Sequence, residues 1–530
     1  MAFYLAHAGS KLQKVTVAGD VSDLTLFGSV TMSSTRRTRF AMLNSSVLAV
    51  HGPSLNVRVR TSDLATRPMS IAVPGSTATA AAGAAGVLTG DYSYKVSFTE
   101  RSGSTLISES PLSSASNTVT LTSQRGSLTG IPTSTDTGVT DRRIYRTTTG
   151  GSTYFPLAYI ADNSTTTYTD NTADASLGTT AADTDLGNPA GTTSADYLTL
   201  LVAWKDRLWA VSSASIDDVF YSGVDKWYAW AAANYLPINP KGQGTSGVTA
   251  FLPRRDVLGV AKRRMLTQIV GSSAATYQVI TVNQGVGVFA PDSVVVIRDT
   301  AYFLAENGPY SWGPEGVRPL ADARVSAWFT MDSYFNRTRF ESAWAAWNQA
   351  TDCYELHLAA AGSNTEDRWV SYDLQRGTWL GPHRTSAMTP SAAALLEDID
   401  GRSVLVVGGD DGKLYRANDA TFLDGASTAI AYSVTTCPHS GGEPGLMKYW
   451  GQPTVYTRAQ AAGTMTVTPT LGQLGASAGS ALSRDLTKAR ETLPRLGVGE
   501  LCSLTFEHST SDQDCQLLGY EIPVSVVGQR

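Results

Sequence analysis

In DYSYKVSFTERSG, residues 91–103, Tyr92, Tyr94, Val96 and Phe98 alternate with Ser93, Lys95, Ser97 and Thr99. Successive side chains of an extended chain point to opposite faces, so a period of two describes a strand with one buried face and argues against a helix. The pattern continues through NTVTLTS (117–123), RRIYRTTTGG (142–151), YFPLAYIAD (154–162) and TTTYTD (165–170), each closed by Gly, Pro, Asn or Asp. These strands predict an immunoglobulin- or fibronectin-like β-sandwich over 86–190, roughly the hundred residues such a domain takes.

A second grammar surrounds that domain. LTLLVAWKDRLWAVSS (198–213) is a strand, a turn at Lys205–Asp206 and a strand. SVVVIRDTAYFLAENGPYSWGPEGVRPL (293–320) is a series of strands with turns at Asp299, Asn307–Gly308 and Glu315–Gly316. The stretches 39–60, 342–360 and 368–382 repeat it, as does SVLVVGGDDGKLYRAND (403–419). Three or four short strands recurring irregularly about every 30–50 residues, with an aromatic near the turn, are the blades of a β-propeller. The expected fold is therefore all-β: a propeller body of about six to eight blades, the inserted sandwich and a C-terminal β module. Residues 1–80 supply strands of the body, 86–190 the sandwich, 195–425 the main blades and 426–530 the closing module. STATAAAGAAGVLTG (76–90), with no periodic apolar face, reads as a linker, and only 324–347 and SRDLTKARETL (483–493) read as short helices.

Composition agrees with strands and turns: 48 glycines and only 16% charged residues. The net charge of −5 leaves no basic surplus for tight phosphate binding, which argues against a sequence-reading DNA binder; a mildly acidic body can still line a channel through which DNA passes. The four cysteines (Cys353, Cys437, Cys502, Cys515) form no C-x-x-C pair and have no His at zinc spacing, so free thiols are expected. MAFYLAHAGSKLQKV lacks the charged and apolar regions of a secretion signal, and no window of about 18 apolar residues suggests a membrane span.

The short patterns that invite a catalytic reading fail on context. GQGTSG (Gly242, Gly244, Gly247) matches a dinucleotide turn, but strand-like VTAFLP follows where a helix must hold the pyrophosphate. GASAG around Ser477 sits in a small-residue loop, with His508 the sole later histidine. The six histidines (His7, His51, His357, His383, His439, His508) never fall at H-x-H or H-x-x-x-H spacing. Asp217–Asp218 and Asp410–Asp411 are adjacent carboxylates, which point apart on a strand; Gly408, Gly409 and Gly412 make the second pair a hairpin turn, and a calcium site needs further oxygen ligands. SYDLQRGTW (371–379) is close to the Asp-box turn of sialidase-like propellers, with two extra residues between Asp373 and Gly377. Arg254, Arg255, Arg263 and Arg264 resemble the arginine cluster a sialidase needs, but read first as a solvated or subunit-facing basic stretch. No catalytic, metal or cofactor residue is assigned.

The order of these features resembles tailed-phage virion proteins. RRIYRTTTGGSTYFPLAYIADNSTTTYTDNTADASLG is similar to the sandwich modules inserted in such proteins. AWKDRLWAVSS, DDVFYSGVDKWYAW, VVVIRDTAYFLAENGPYSW and WVSYDLQRGTW resemble the propeller nozzle or hub proteins of short-tailed phages, and PRLGVGELCSLTFEHSTSDQDCQLLGYEIPVSVVGQR resembles their final β module. The resemblance implies a structural virion protein, not an enzyme, forming a homo-oligomeric ring of six below the portal and adaptor. It implies contacts with the adaptor and with tail fibres or spikes, and viral DNA retained in and passed through the lumen without sequence-specific binding. It locates the chain in the virion tail, and in the host cytoplasm during assembly. DKWYAWAAANYLP (225–237) carries Trp227, Tyr228, Trp230 and Tyr235, a density that marks either a blade core or a subunit interface. The competing expectation is a carbohydrate-binding or sialidase-like propeller that recognises a host surface.

Overall fold

The computed structural model describes all residues except 1–2, 28–31, 35–36, 45, 51–55, 183–184, 187–197, 239–246, 418–422, 425–427, 474–475, 512 and 528–530. The chain divides into two compact units, one of Met1–Gly381 with Ala394–Val404, the other of Pro382–Ala393 with Leu405–Arg530.

In the first unit the alternating runs become antiparallel four-stranded meanders in chain order, the blades of a β-propeller. Blade one is Arg39–Leu43, Ser46–Val50, Asn56–Arg60 and Thr66–Pro68; blade two is Leu198–Trp204, Arg207–Ser212, Ser215–Tyr221 and Tyr235–Pro237. Blade three is Ala250–Pro253, Leu258–Lys262, Met265–Val270 and Gln278–Gln284. Blade four is Val295–Ile297, Thr300–Ala305, Gly308–Gly313 and Gly316–Pro319, and blade five is Trp344–Asn348, Cys353–Leu358, Arg368–Asp373 and Thr378–His383. Three further strands, Phe3–Ala8, Lys11–Thr16 and Val21–Asp23, form a sheet ahead of blade one.

Apolar clusters fill the gaps between blades. Leu48, Val50, Leu201, Leu208 and Phe220 join blades one and two; Trp209, Val211, Val260 and Ile269 join two and three. Leu252, Leu266, Phe303 and Trp312 join three and four, and Leu304, Tyr354, Leu356 and Val370 join four and five. Each such side chain contributes about 1.5–3 kcal/mol by leaving water. Gly259 permits one of these contacts: a Cβ there would lie 2.5 Å from the Trp312 ring.

The first two blades share one core although the sandwich is inserted between them. Its two sheets, ordered Thr105–Glu109, Tyr94–Ser102, Asp141–Thr147, Tyr154–Ile160 and Tyr168–Asp170, Val119–Thr129, Thr79–Tyr92, enclose Leu88, Tyr94, Val96, Leu121, Leu128 and Ile144. The 76–90 stretch is thus no linker. Thr79–Tyr92 is a long strand held by pairing to Val119–Thr129; its small residues hide the alternation because backbone bonds, not bulky side chains, secure it. RRIYRT works as a pair of ties. Arg142 reaches the Asp162 carboxylate at 2.8 Å, and Arg146, wholly buried, reaches Asp170 and Asp174, each at 2.6 Å.

In the second unit, sheets containing Thr464–Gly472 with Leu501–His508, Thr454–Thr457, and Lys448–Trp450 surround Trp450, Val455, Val467, Leu504 and Phe506. The helix expected over 483–493 is instead two strands, Leu482–Asp485 and Arg490–Thr492. Asp485 takes the Thr487 N–H at 2.9 Å and hydroxyl at 2.7 Å, so the spacing of Asp485, Lys488 and Glu491 belongs to a turn. Of the 324–347 stretch, only Ser326–Thr330 is α-helical.

Candidate functional site

The charged residues flagged in the sequence gather where the first hairpin turn of one blade meets the next. Lys205 and Asp206 sit at φ 48° and 57°, and Arg298 and Asp299 at 48° and 65°, the paired left-handed geometry of a tight two-residue hairpin. Each turn grips its neighbour. Asn44 donates to the Asp225 carbonyl at 2.8 Å, and Asp225 N–H to the Asp206 carbonyl at 2.8 Å. Lys205 Nζ donates to the Asp256 carbonyl at 3.0 Å. Arg254 bonds the carbonyl and carboxylate of Asp299, at 2.8 and 3.1 Å, while Arg298 reaches Asp352 at 3.0 Å. The Arg255 backbone N–H, with the Arg254 guanidinium, holds the Asp299 carboxyl below its ordinary range. The sequence signal for this belt is the basic–Asp pair recurring in WKDR, RRDV and IRDT.

The rest of the arginine cluster pairs with carboxylates of blade four and of the segment ahead of blade five. Arg263 pairs with Glu341 at 3.1 Å, and Arg264 with Glu306 at 2.6 Å. Lys262, almost wholly buried, holds Asp217 at 2.6 Å, which ties that member of the Asp217–Asp218 pair to blade three.

The first strands of successive blades lie against one another. Between them is a cavity of about 270 Å³ whose walls include Leu200, Val202, Phe251, Pro253, Val296 and Arg39. Arg39 and Arg37 both face the Asp292 carboxylate, at 3.0 and 3.6 Å, and the Arg37 guanidinium stands 5.8 Å from the Trp344 ring centre. Burial lowers the Arg37 pKa against the opposing pull of Asp292 and Glu366. A second, polar pocket of about 430 Å³ opens beside the blade-five turns, lined among others by Arg298, Trp347, Asp352, Asp373, Gln375 and Arg376.

The near-Asp-box is a hairpin turn in that pocket's wall. Asp373 accepts the N–H groups of Gln375 and Arg376 at 2.9 Å, Gly377 takes φ 64°, and Trp379 is buried, its indole N–H given to the Leu320 carbonyl at 3.0 Å. Backbone and guanidinium donation from Arg376 holds Asp373 below its ordinary range.

Of the four aromatics read as core or interface, Trp227, Tyr228 and Trp230 are buried in the core shared by blades one and two. Arg58 stacks over Trp227 at 4.7 Å, and Trp230 Nε1 donates to the Trp227 carbonyl at 2.9 Å. Tyr235 remains 45% exposed. In the second unit Asp410 accepts the Thr389 N–H at 3.0 Å, next to the strand Pro390–Glu397, and Asp411 accepts the Tyr415 hydroxyl at 2.7 Å within the hairpin of Ser403–Gly409 and Leu414–Arg416. The Tyr415 hydroxyl is the main cause of a lowered Asp411 pKa. GQGTSG lies mostly outside the described residues; Ser477 is described, in a loop. The four cysteines are free, and burial pushes the Cys502 thiol up to about 11. Among the described residues no three His, Cys, Asp or Glu side chains gather as a metal site, and no helix is long and apolar enough to cross a membrane.

No family model and no curated protein matches the chain. Among solved structures it is similar to the N-terminal domain of Nup159 (8% identity, TM-score 0.33, 78% of this chain and 85% of that one). It is also similar to BamB from Moraxella catarrhalis (8%, 0.32, 78% and 92%). Against the extracellular domain of the putative one-component system BT4673 from B. thetaiotaomicron the values are 11%, 0.28 and 52%, and the chain spans 30% of that protein's length. Likenesses this loose carry no functional argument, and the propeller rests on the chain's own strand pairing.

Proposed function

We propose that the chain is a structural protein of a short-tailed phage virion, six copies of which form a tail nozzle or hub ring below the portal and adaptor. The observation that carries the reading is the belt of turns: charged groups that an enzyme would converge on a substrate instead brace one blade on the next. The resemblance of the blade and sandwich motifs to phage tail proteins supports it. In this reading the lumen for DNA is formed between copies, because a cavity of about 270 Å³ inside one propeller is far too small for a duplex whose major groove alone is about 12 Å wide. The sandwich and the C-terminal module then offer surfaces to the adaptor and to fibres or spikes. Mass spectrometry and electron microscopy of purified virions test this. The expected result is the chain at six copies per tail; its absence from particles overturns the proposal.

A second reading, glycan binding, draws on the polar pocket beside blade five. Trp347 Nε1 is buried there without a hydrogen-bond partner, and amide, carboxylate and guanidinium groups line the pocket around it. A glycan array on the wild type and Gln375→Ala tests it; equal or absent signal from both removes it.

A further inference from the structure

The outer strands of the blades are the edges at which another chain can add a strand, and natural sheets guard such edges with proline, charge or shortness. Four of the five are guarded: TRP at Thr66–Pro68, YLP at Tyr235–Pro237, GVRP at Gly316–Pro319 and TWLGPH at Thr378–His383 each contain a proline, and none exceeds six residues. Blade three ends differently. Its outer strand, Gln278–Gln284, is QVITVNQ: seven residues with no proline, glycine or charge, and Ile280 is 42% exposed. The strand it pairs with, Met265–Val270, is also uncharged. Val282 is bulged out of the ladder, which leaves Gln278–Thr281 as the regular segment.

We infer that this edge pairs antiparallel with the same edge of a second copy of the chain, about a two-fold axis that passes between Ile280 and its symmetry mate. That register sets Ile280 opposite Ile280 and Val279 opposite Thr281, β-branched against β-branched on each face, with no charge brought together. An uncharged edge has nothing to attract an acidic or basic peptide, and small aliphatic tips form no pocket for a bulky anchor. A second copy of the same edge supplies uncharged β-branched partners over Val279–Thr281, and such a contact closes at two copies.

The inference does not rest on the tail reading. Light scattering on the full chain up to about 100 µM is expected to give a concentration-dependent doubling of mass. Ile280→Lys and Thr281→Pro, each placed at the exposed edge, are expected to raise the dissociation constant at least about tenfold with unchanged far-UV circular dichroism. Hydrogen exchange on the wild type needs no variant: amides of 278–281 are expected to gain protection as concentration rises. A wild type monomeric throughout, a dimer that survives both substitutions, or protection gained only elsewhere overturns the pairing. Six-fold rings in virions together with a monomeric chain in solution would defeat this inference and leave the tail proposal standing.

Discussion

Glu355 is a carboxyl held inside blade five, in mid-strand, with the Asn348 amide donating to it at 2.8 Å. Burial pushes its pKa up to about 7, so the folded chain favours the protonated form. A folded-state pKa above the unfolded one contributes stability that is complete at low pH and is lost as pH rises through the folded value. The melting temperature of the first unit is therefore expected to fall between about pH 4.5 and 7 and to level off above that, and Glu355→Gln to remove that slope. An identical slope in the variant would show that another group titrates. Arg146 makes the complementary case. It meets Asp170 with neither side chain exposed, so Arg146→Met strands a buried carboxylate and is expected to cost about 3–5 kcal/mol in urea unfolding, with Arg146→Met/Asp170→Asn recovering part of it. RRIYRT and YTDNTAD are both conspicuous in the sequence, but which arginine meets which aspartate depends on how strands 24 residues apart are brought together.

At the scale of the element, the alternating strands were legible because one face is buried and the other is not. The segment after Thr105–Glu109 obeys a different period. Ser110, Ser113 and Ser116 donate their backbone N–H to the carbonyls of Phe98, Val96 and Tyr94, at 2.8–2.9 Å, and their hydroxyls accept the N–H of the same three residues. A bond at every third residue is the repeat of a polyproline II helix, so a search for periods of two or 3.6 passes over SPLSSAS. Ser113→Ala removes the hydroxyl acceptor of the buried Val96 N–H and is expected to cost about 1–3 kcal/mol, measured by chemical denaturation, while exposed Ser114→Ala is expected to be neutral. Equal losses at both positions would mean that the hydroxyl bond is immaterial. The misread 76–90 and 483–493 stretches share one cause: backbone pairing and turn-forming carboxylates determine them, and neither leaves a hydrophobic period.

For the first unit taken whole, the legible part was the repetition of blades; the joints between blades and insert were not, because they join residues far apart in the chain. Glu100 is the clearest joint. It lies on a sandwich strand, is 2% exposed, and receives Arg58 and Arg60 from the third strand of blade one, while Arg58 also stacks on Trp227 of the blade-two segment. One carboxylate thus receives both guanidiniums at the joint between the insert and its flanking blades, with Asp63 as the second counter-ion of Arg60, reinforced by the apolar contact of Ile71 with Phe98 and Val139. Removing one member of a buried ion pair leaves its partner's charge uncompensated, at about 3–5 kcal/mol. Because that loss falls on the joint and on neither core, Glu100→Ala is expected to split the calorimetric unfolding of the first unit into separate sandwich and blade transitions. Adding Arg58→Met, which removes the stranded charge and keeps an apolar stem against Trp227, is expected to restore part of the lost stability and leave the transitions separate. A single transition in Glu100→Ala at the wild-type temperature would show that the apolar contact alone couples insert to propeller.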